Sequence, residues 1–186
     1  LLAVGSTMRR GAMPAPIAGA PESIKLFYRV VCAPDRINDD LPLLLFLQGG
    51  PGGESPRPLS PTSDGWIEEA VKHFRVVLPD QRGTGRSSCV DGRTIKALGE
   101  RATAAGSDAA RSQADFLKRH LASSIVRDFE YLRLVGFGGK PWVTLGQSYG
   151  GFLTLSYLSL FPEGIAASFT CGGIPHVPAS ASEVYA

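Results

Sequence analysis

The stretch Trp142-Val143-Thr144-Leu145-Gly146-Gln147-Ser148-Tyr149-Gly150-Gly151-Phe152-Leu153 constrains this chain more than any other. It runs from an apolar strand through a glycine-flanked serine into an apolar helix. A serine on so sharp a strand-to-helix turn tolerates almost no neighbouring bulk, so Gly146 and Gly150 supply positions without side chains. The stretch reads as a nucleophile elbow, with the Ser148 hydroxyl exposed above a sheet. The first turn of the following helix carries N–H groups with no intrahelical acceptor. The Tyr149 N–H is therefore the expected oxyanion donor. G-x-S-x-G also occurs in ordinary strand-turn-helix units, so the reading rests on what else the chain contains.

Two further motifs support it. Pro42-Leu43-Leu44-Leu45-Phe46-Leu47 is an apolar run too short for a helix, as expected for a strand buried on both faces. It ends in Gln48-Gly49-Gly50-Pro51-Gly52-Gly53, a loop that can bring main-chain N–H groups close to a substrate. Gly49, with Gly50 as its neighbour, is the candidate for a second oxyanion donor. No Gly-Lys-Ser/Thr follows, which argues against a phosphate loop. Phe74 to Pro79 forms another strand and delivers Asp80-Gln81-Arg82-Gly83-Thr84-Gly85-Arg86-Ser87. Asp80 and Arg82 are expected to pair and to tie this turn to the glycine loop, as structural support rather than chemistry.

The order of elements is alternating. Ile24 to Val30 suits an antiparallel strand near a sheet edge, and Trp66 to His73 has the spacing of a short amphipathic helix. Cys89 to Arg111 reads as a surface excursion, in part helical. Ser112 to Val135 reads as a long helix, with a break near Ala122-Ser123-Ser124. After the elbow, Phe152 to Leu160 is apolar almost all round. Ile165 to Cys171 is a further strand. The Gly-, Ala- and Pro-rich residues 1–22 read as an irregular arm, and residues 23–186 as one α/β domain.

Composition bounds the function. With 186 residues, 44% of them hydrophobic, and a net charge of +2, the chain can build a core and carries no basic cluster for nucleic acid. No apolar run approaches the roughly 20 residues that span a bilayer. Cys32, Cys89 and Cys171 lack metal-ligand spacing and are odd in number, which points to a reducing, cytoplasmic setting.

Leu47-Gln48-Gly49-Gly50-Pro51-Gly52, Asp80 to Ser87 and Gly146 to Gly151, in this order, resemble the proline iminopeptidase family of serine peptidases. The likeness runs from about Ser23 to the end. It implies an α/β-hydrolase fold, a mostly parallel sheet with helices on both faces. It implies release of an N-terminal proline from a peptide through an acyl-enzyme on Ser148, with no metal or organic cofactor. Gly49 or Gly50 and Tyr149 would hold the oxyanion. In that family the substrate ammonium is bound by acidic residues of a helical cap inserted after the sixth strand, a region with no counterpart here.

The fold's triad order is Ser, then Asp or Glu, then His. Downstream of Ser148 there is no aspartate, the only carboxylates are Glu163 and Glu183, and the only histidine, His176, stands where the cap would start. His73 and His120 precede the serine and read as surface or helix residues. The triad is therefore incomplete. The expectation is an N-terminal part of a larger enzyme, truncated before the cap and last strands, nearly inactive and poorly soluble alone. Another hydrolase of this fold, such as an esterase, and a non-catalytic binding module are the alternatives. Oligomeric state is not legible.

Overall fold

In a computed structural model, residues 2–10, 17, 18, 20, 21, 23–60, 62 and 65–173 are described. The strands are β1 (Leu2–Arg10), β2 (Ile24–Cys32), β3 (Leu43–Leu47), β4 (Arg75–Pro79), β5 (Trp142–Gln147) and β6 (Ile165–Cys171). The helices are α1 (Gly65–His73), α2 (Gly92–Ala104), α3 (Ala109–Lys118), α4 (Ala122–Gly136) and α5 (Tyr149–Leu160).

All six strands form one sheet in the order β1-β2-β4-β3-β5-β6. The first two pairings, β1 with β2 and β2 with β4, are antiparallel. From β4 to β6 every pairing is parallel, with Leu44 opposite Val76 on one side and Val143 on the other.

β3 lies at the centre and is buried at every residue. Its two-residue period divides the core. Leu43, Leu45 and Leu47 pack with Ile125, Phe129 and Leu132 of α4 and with Leu153 and Tyr157 of α5. Leu44 and Phe46 face the other way, onto Ile67, Ala70 and Val71 of α1. Helices thus cover both faces, as the apolar run required.

Beneath the elbow, α4, α5 and β5 are joined by a buried polar chain. Arg133 donates to both Glu130 oxygens, at 2.8 and 2.6 Å, and also to the Gly139 carbonyl. Tyr157 donates its hydroxyl to Glu130 at 2.8 Å and accepts from the Trp142 indole at 2.9 Å. Arg133 holds the Glu130 carboxyl below its usual range, while burial raises the Tyr157 phenol. No buried side-chain nitrogen or oxygen lacks a partner among the described residues.

One expectation is overturned and others are made definite. Residues 2–10 are not an irregular arm but strand β1, laddered to β2 from Leu2 opposite Cys32 to Arg10 opposite Ile24. β2 is consequently one strand in from the edge, antiparallel as expected. Main-chain ladders specify strands whose sequence carries no alternation, and Gly5-Ser6-Thr7 hides this one. The polar excursion contains a full helix, α2, capped by the Asp91 carboxylate on the Thr94 N–H. The long helical stretch is broken as expected, into α3 and α4, but at Arg119 to Leu121, just before Ala122-Ser123-Ser124.

At the other edge, six of the seven β6 residues are exposed, and Phe169 is 56% exposed. No described helix is long and apolar enough to cross a membrane.

Candidate active site

Ser148 joins β5 to α5 with φ 55° and ψ −120°, and it is the one non-glycine residue with positive φ among the described residues. An L-residue in this region carries strain of about 1–3 kcal/mol and persists only where its surroundings enforce it. Its surroundings do so with main chain. The Ser148 N–H donates to the Cys171 carbonyl of β6 at 2.8 Å, and its carbonyl accepts from the Gly151 N–H at 2.8 Å. A Cβ on Gly146 would overlap the Gly150 carbonyl and the Thr154 hydroxyl, and one on Gly150 would overlap the Leu47 carbonyl. Both glycines are thus required by close approach, and the end of β3 is locked against the start of α5.

The serine side chain is exposed, and its hydroxyl has no hydrogen-bond partner among the described residues. The glycine loop lies directly beside it. Gly49 is buried, and a Cβ placed on it would come 3.1 Å from Ser148 Cβ and 2.8 Å from the Gln147 carbonyl. Gly50 is exposed, with φ 116°, and its corresponding direction meets the Gly52 N–H instead. The main-chain N–H groups of Gly49 and Tyr149 have no acceptor among the described residues. Gly49, packed against Ser148, and Tyr149, the next residue in the chain, thus each carry an N–H with no described acceptor. Burial raises the Tyr149 phenol, so its side chain is neutral at ordinary pH.

The 80–87 turn supports the loop, but not by the expected pair. Asp80 and Arg82 do not bond to each other. The Asp80 carboxylate accepts from the Ser55 N–H at 3.1 Å and the Arg86 N–H at 2.8 Å, and it pairs with Arg57. Arg82 instead meets Asp128 of α4 through two bonds of 2.5 Å, with its remaining nitrogen on the Arg119 carbonyl at 2.6 Å. Asp128 offers a carboxylate face that fits the guanidinium fork, while the oxygens of Asp80 are already filled. The direct tie to the glycine loop is Gln81, whose side-chain amide donates to the Gln48 carbonyl at 2.7 Å.

Ser55, Arg57 and Asp128 escaped the sequence reading. Asp128 carried a signal: it stands three residues after Ile125 and beside Phe129 on the apolar stripe of α4, where a carboxylate implies a buried cation. Glu54 is exposed and lies 3.3 Å from Arg57. Of the histidines, His73 is exposed and bonds Glu69 at 3.2 Å, whereas His120 is half-buried after α3. Glu163 is exposed in the turn before β6. His176 and Glu183 lie outside the described residues.

Residues 42–185 match the family described as the alpha/beta hydrolase fold. The chain is 45% identical over 164 residues to a proline iminopeptidase of Aeromonas sobria, covering 88% of this chain and 36% of that protein. It is 35% identical over 158 residues to a proline iminopeptidase of Aspergillus aculeatus, covering 81% of this chain and 33% of the relative. Among solved structures, a thermophilic esterase from Thermogutta terrifontis superposes with a TM-score of 0.55 at 19% identity, over 95% of this chain and 48% of that one. The chain spans about a third of the length of the curated relatives it matches. It belongs to the alpha/beta hydrolase family.

Proposed function

We propose that the enzyme to which this chain contributes is a serine aminopeptidase that removes proline from the N-terminus of peptides. The observation that carries the reading is the 45% identity to a proline iminopeptidase over 88% of the chain. The strained, exposed Ser148 beside two uncommitted N–H groups supplies a geometry that suits it.

In this reading the Ser148 oxygen bonds to the prolyl carbonyl carbon as its proton passes to a base. The carbonyl oxygen gathers negative charge between the N–H groups of Gly49 and Tyr149. The C–N bond then breaks, the leaving amine takes the proton, and the prolyl group remains as an ester on Ser148. Water, deprotonated by the same base, splits that ester into proline and the free hydroxyl. Removing an oxyanion donor from such a site costs about 10²–10³ in kcat.

Such a step needs a base and a carboxylate that orients it. We assign both roles to sequence outside these 186 residues, consistent with relatives about three times as long. Residues 1–186 alone then turn over roughly 10⁶-fold more slowly than the complete enzyme, the loss a triad suffers without its histidine.

The test is hydrolysis by the enzyme carrying this chain. A prolyl-arylamide is expected to be cleaved and simple acyl esters are not, with Ser148→Ala abolishing turnover. Ester cleavage without arylamide cleavage would replace this reading with that of an esterase.

A further inference from the structure

A cleft of about 280 Å³ opens beside the candidate site, between the glycine loop, the 80–87 turn and the start of α4. Pro51 and Gly52 line it from the loop that carries Gly49, and Tyr149 lines it from α5. The cleft therefore lies within a few residues of both proposed oxyanion donors. Its other walls include Val90, Leu117 and Ile125, so it is largely apolar.

The polar groups in these walls are mostly committed. Gln81 donates to the Gln48 carbonyl, Thr84 to the Gln81 carbonyl at 2.9 Å, and Arg82 is matched by Asp128. His120 differs. Its Nδ1 lies 3.0 Å from the Phe116 carbonyl. A carbonyl only accepts, so Nδ1 carries the proton. Burial holds the ring below the usual histidine range, and it is neutral at pH 7. Nε2 is then a bare acceptor. It has no hydrogen-bond partner among the described residues, and His120 lines the cleft.

The lining contains no carboxylate, and its one permanent cation is already paired. A substrate ammonium has no opposite charge to meet there. A neutral apolar group with an adjacent N–H has both. We propose that this cleft is the subsite for the residue that follows the cleaved bond. Its walls take a neutral apolar side chain, and His120 Nε2 accepts a hydrogen bond from a substrate amide N–H. The assignment rests on the aminopeptidase reading for the identity of the substrate, and on the cleft alone for its chemistry.

The first test is kinetic, on the active enzyme carrying this chain. Proline-leucine-amide is expected to exceed proline-glycine-amide in kcat/KM by about tenfold or more, the worth of burying a leucine side chain. His120→Phe keeps a ring against Phe116 and Gly83 but removes the acceptor. It is expected to lower kcat/KM for proline-leucine-amide about tenfold, while His73→Phe changes nothing. Equal rates for the two amides, or a His120→Phe enzyme as good as the wild type, overturns the proposal.

If no prolyl substrate is cleaved, the aminopeptidase reading fails, and the cleft is judged separately by nuclear magnetic resonance on the enzyme carrying this chain. N-acetyl-leucinamide is expected to shift the His120 Nε2 resonance saturably, and N-acetyl-glycinamide to do so at least about tenfold more weakly. An unmoved His120 resonance refutes the subsite.

Discussion

Ser148 is held by main chain against main chain: the Leu47 carbonyl occupies the space a side chain on residue 150 would need, and the Gly150 carbonyl does the same for residue 146. The Gln48–Gly53 loop facing it is held by side chains: Gln81 on the Gln48 carbonyl, with Asp80, Arg57, Arg82 and Asp128 bracing the turn behind. The first arrangement admits one residue type. The second can be loosened in steps, because each polar group contributes a separate increment. One half of the site is therefore steric in origin and the other electrostatic.

The difference can be broken most directly at residue 150. Gly150→Ala drives a methyl group into the Leu47 carbonyl, and a loss of about 4 kcal/mol or more is expected, read as a collapse of the urea midpoint. A folded, near-native Gly150→Ala protein would falsify the steric account. Asp128→Ala should come next, at about 3 kcal/mol, since it strands the Arg82 guanidinium in a site 3% exposed. If the loss matches that of Gly150→Ala, the two halves are not held differently.

Glu130→Gln sharpens the contrast through pH. The folded-state pKa of Glu130 is depressed below the ordinary 4.5, chiefly by Arg133. Its contribution is therefore full above that value and is lost as pH falls through the lower folded value. Wild type and Glu130→Gln should differ in stability at pH 7 and converge on acidification below about pH 4. A constant gap across that window would show that the carboxylate charge is immaterial. The smallest effect belongs to Gln81→Ala, about 1 kcal/mol from one hydrogen bond to the glycine loop. It is measured as a small shift in the same urea midpoint.

The steric half was legible in the sequence because its rule is local. Glycines two residues either side of a serine, between an apolar strand and an apolar helix, leave few other folds for the turn. β3 was legible for a similar reason: five consecutive apolar residues demand cover on both faces. The electrostatic half was not, since Arg82 finds its carboxylate 46 residues away and Asp80 its arginine 23 residues back. Nothing in Asp80-Gln81-Arg82 distinguishes a partner within the turn from one on α4. β1 was hidden for yet another reason, because its evidence is a main-chain ladder to β2 and not a pattern of side chains.

The carbonyl of Leu47 pressed against Gly150 has a consequence for how the site meets a ligand. A separation fixed by backbone packing has no rotamers to sample, so the distance between the end of β3 and the first turn of α5 is set before anything arrives. Whatever charge develops beside Ser148 then meets donors whose ordering entropy was already lost when the chain folded.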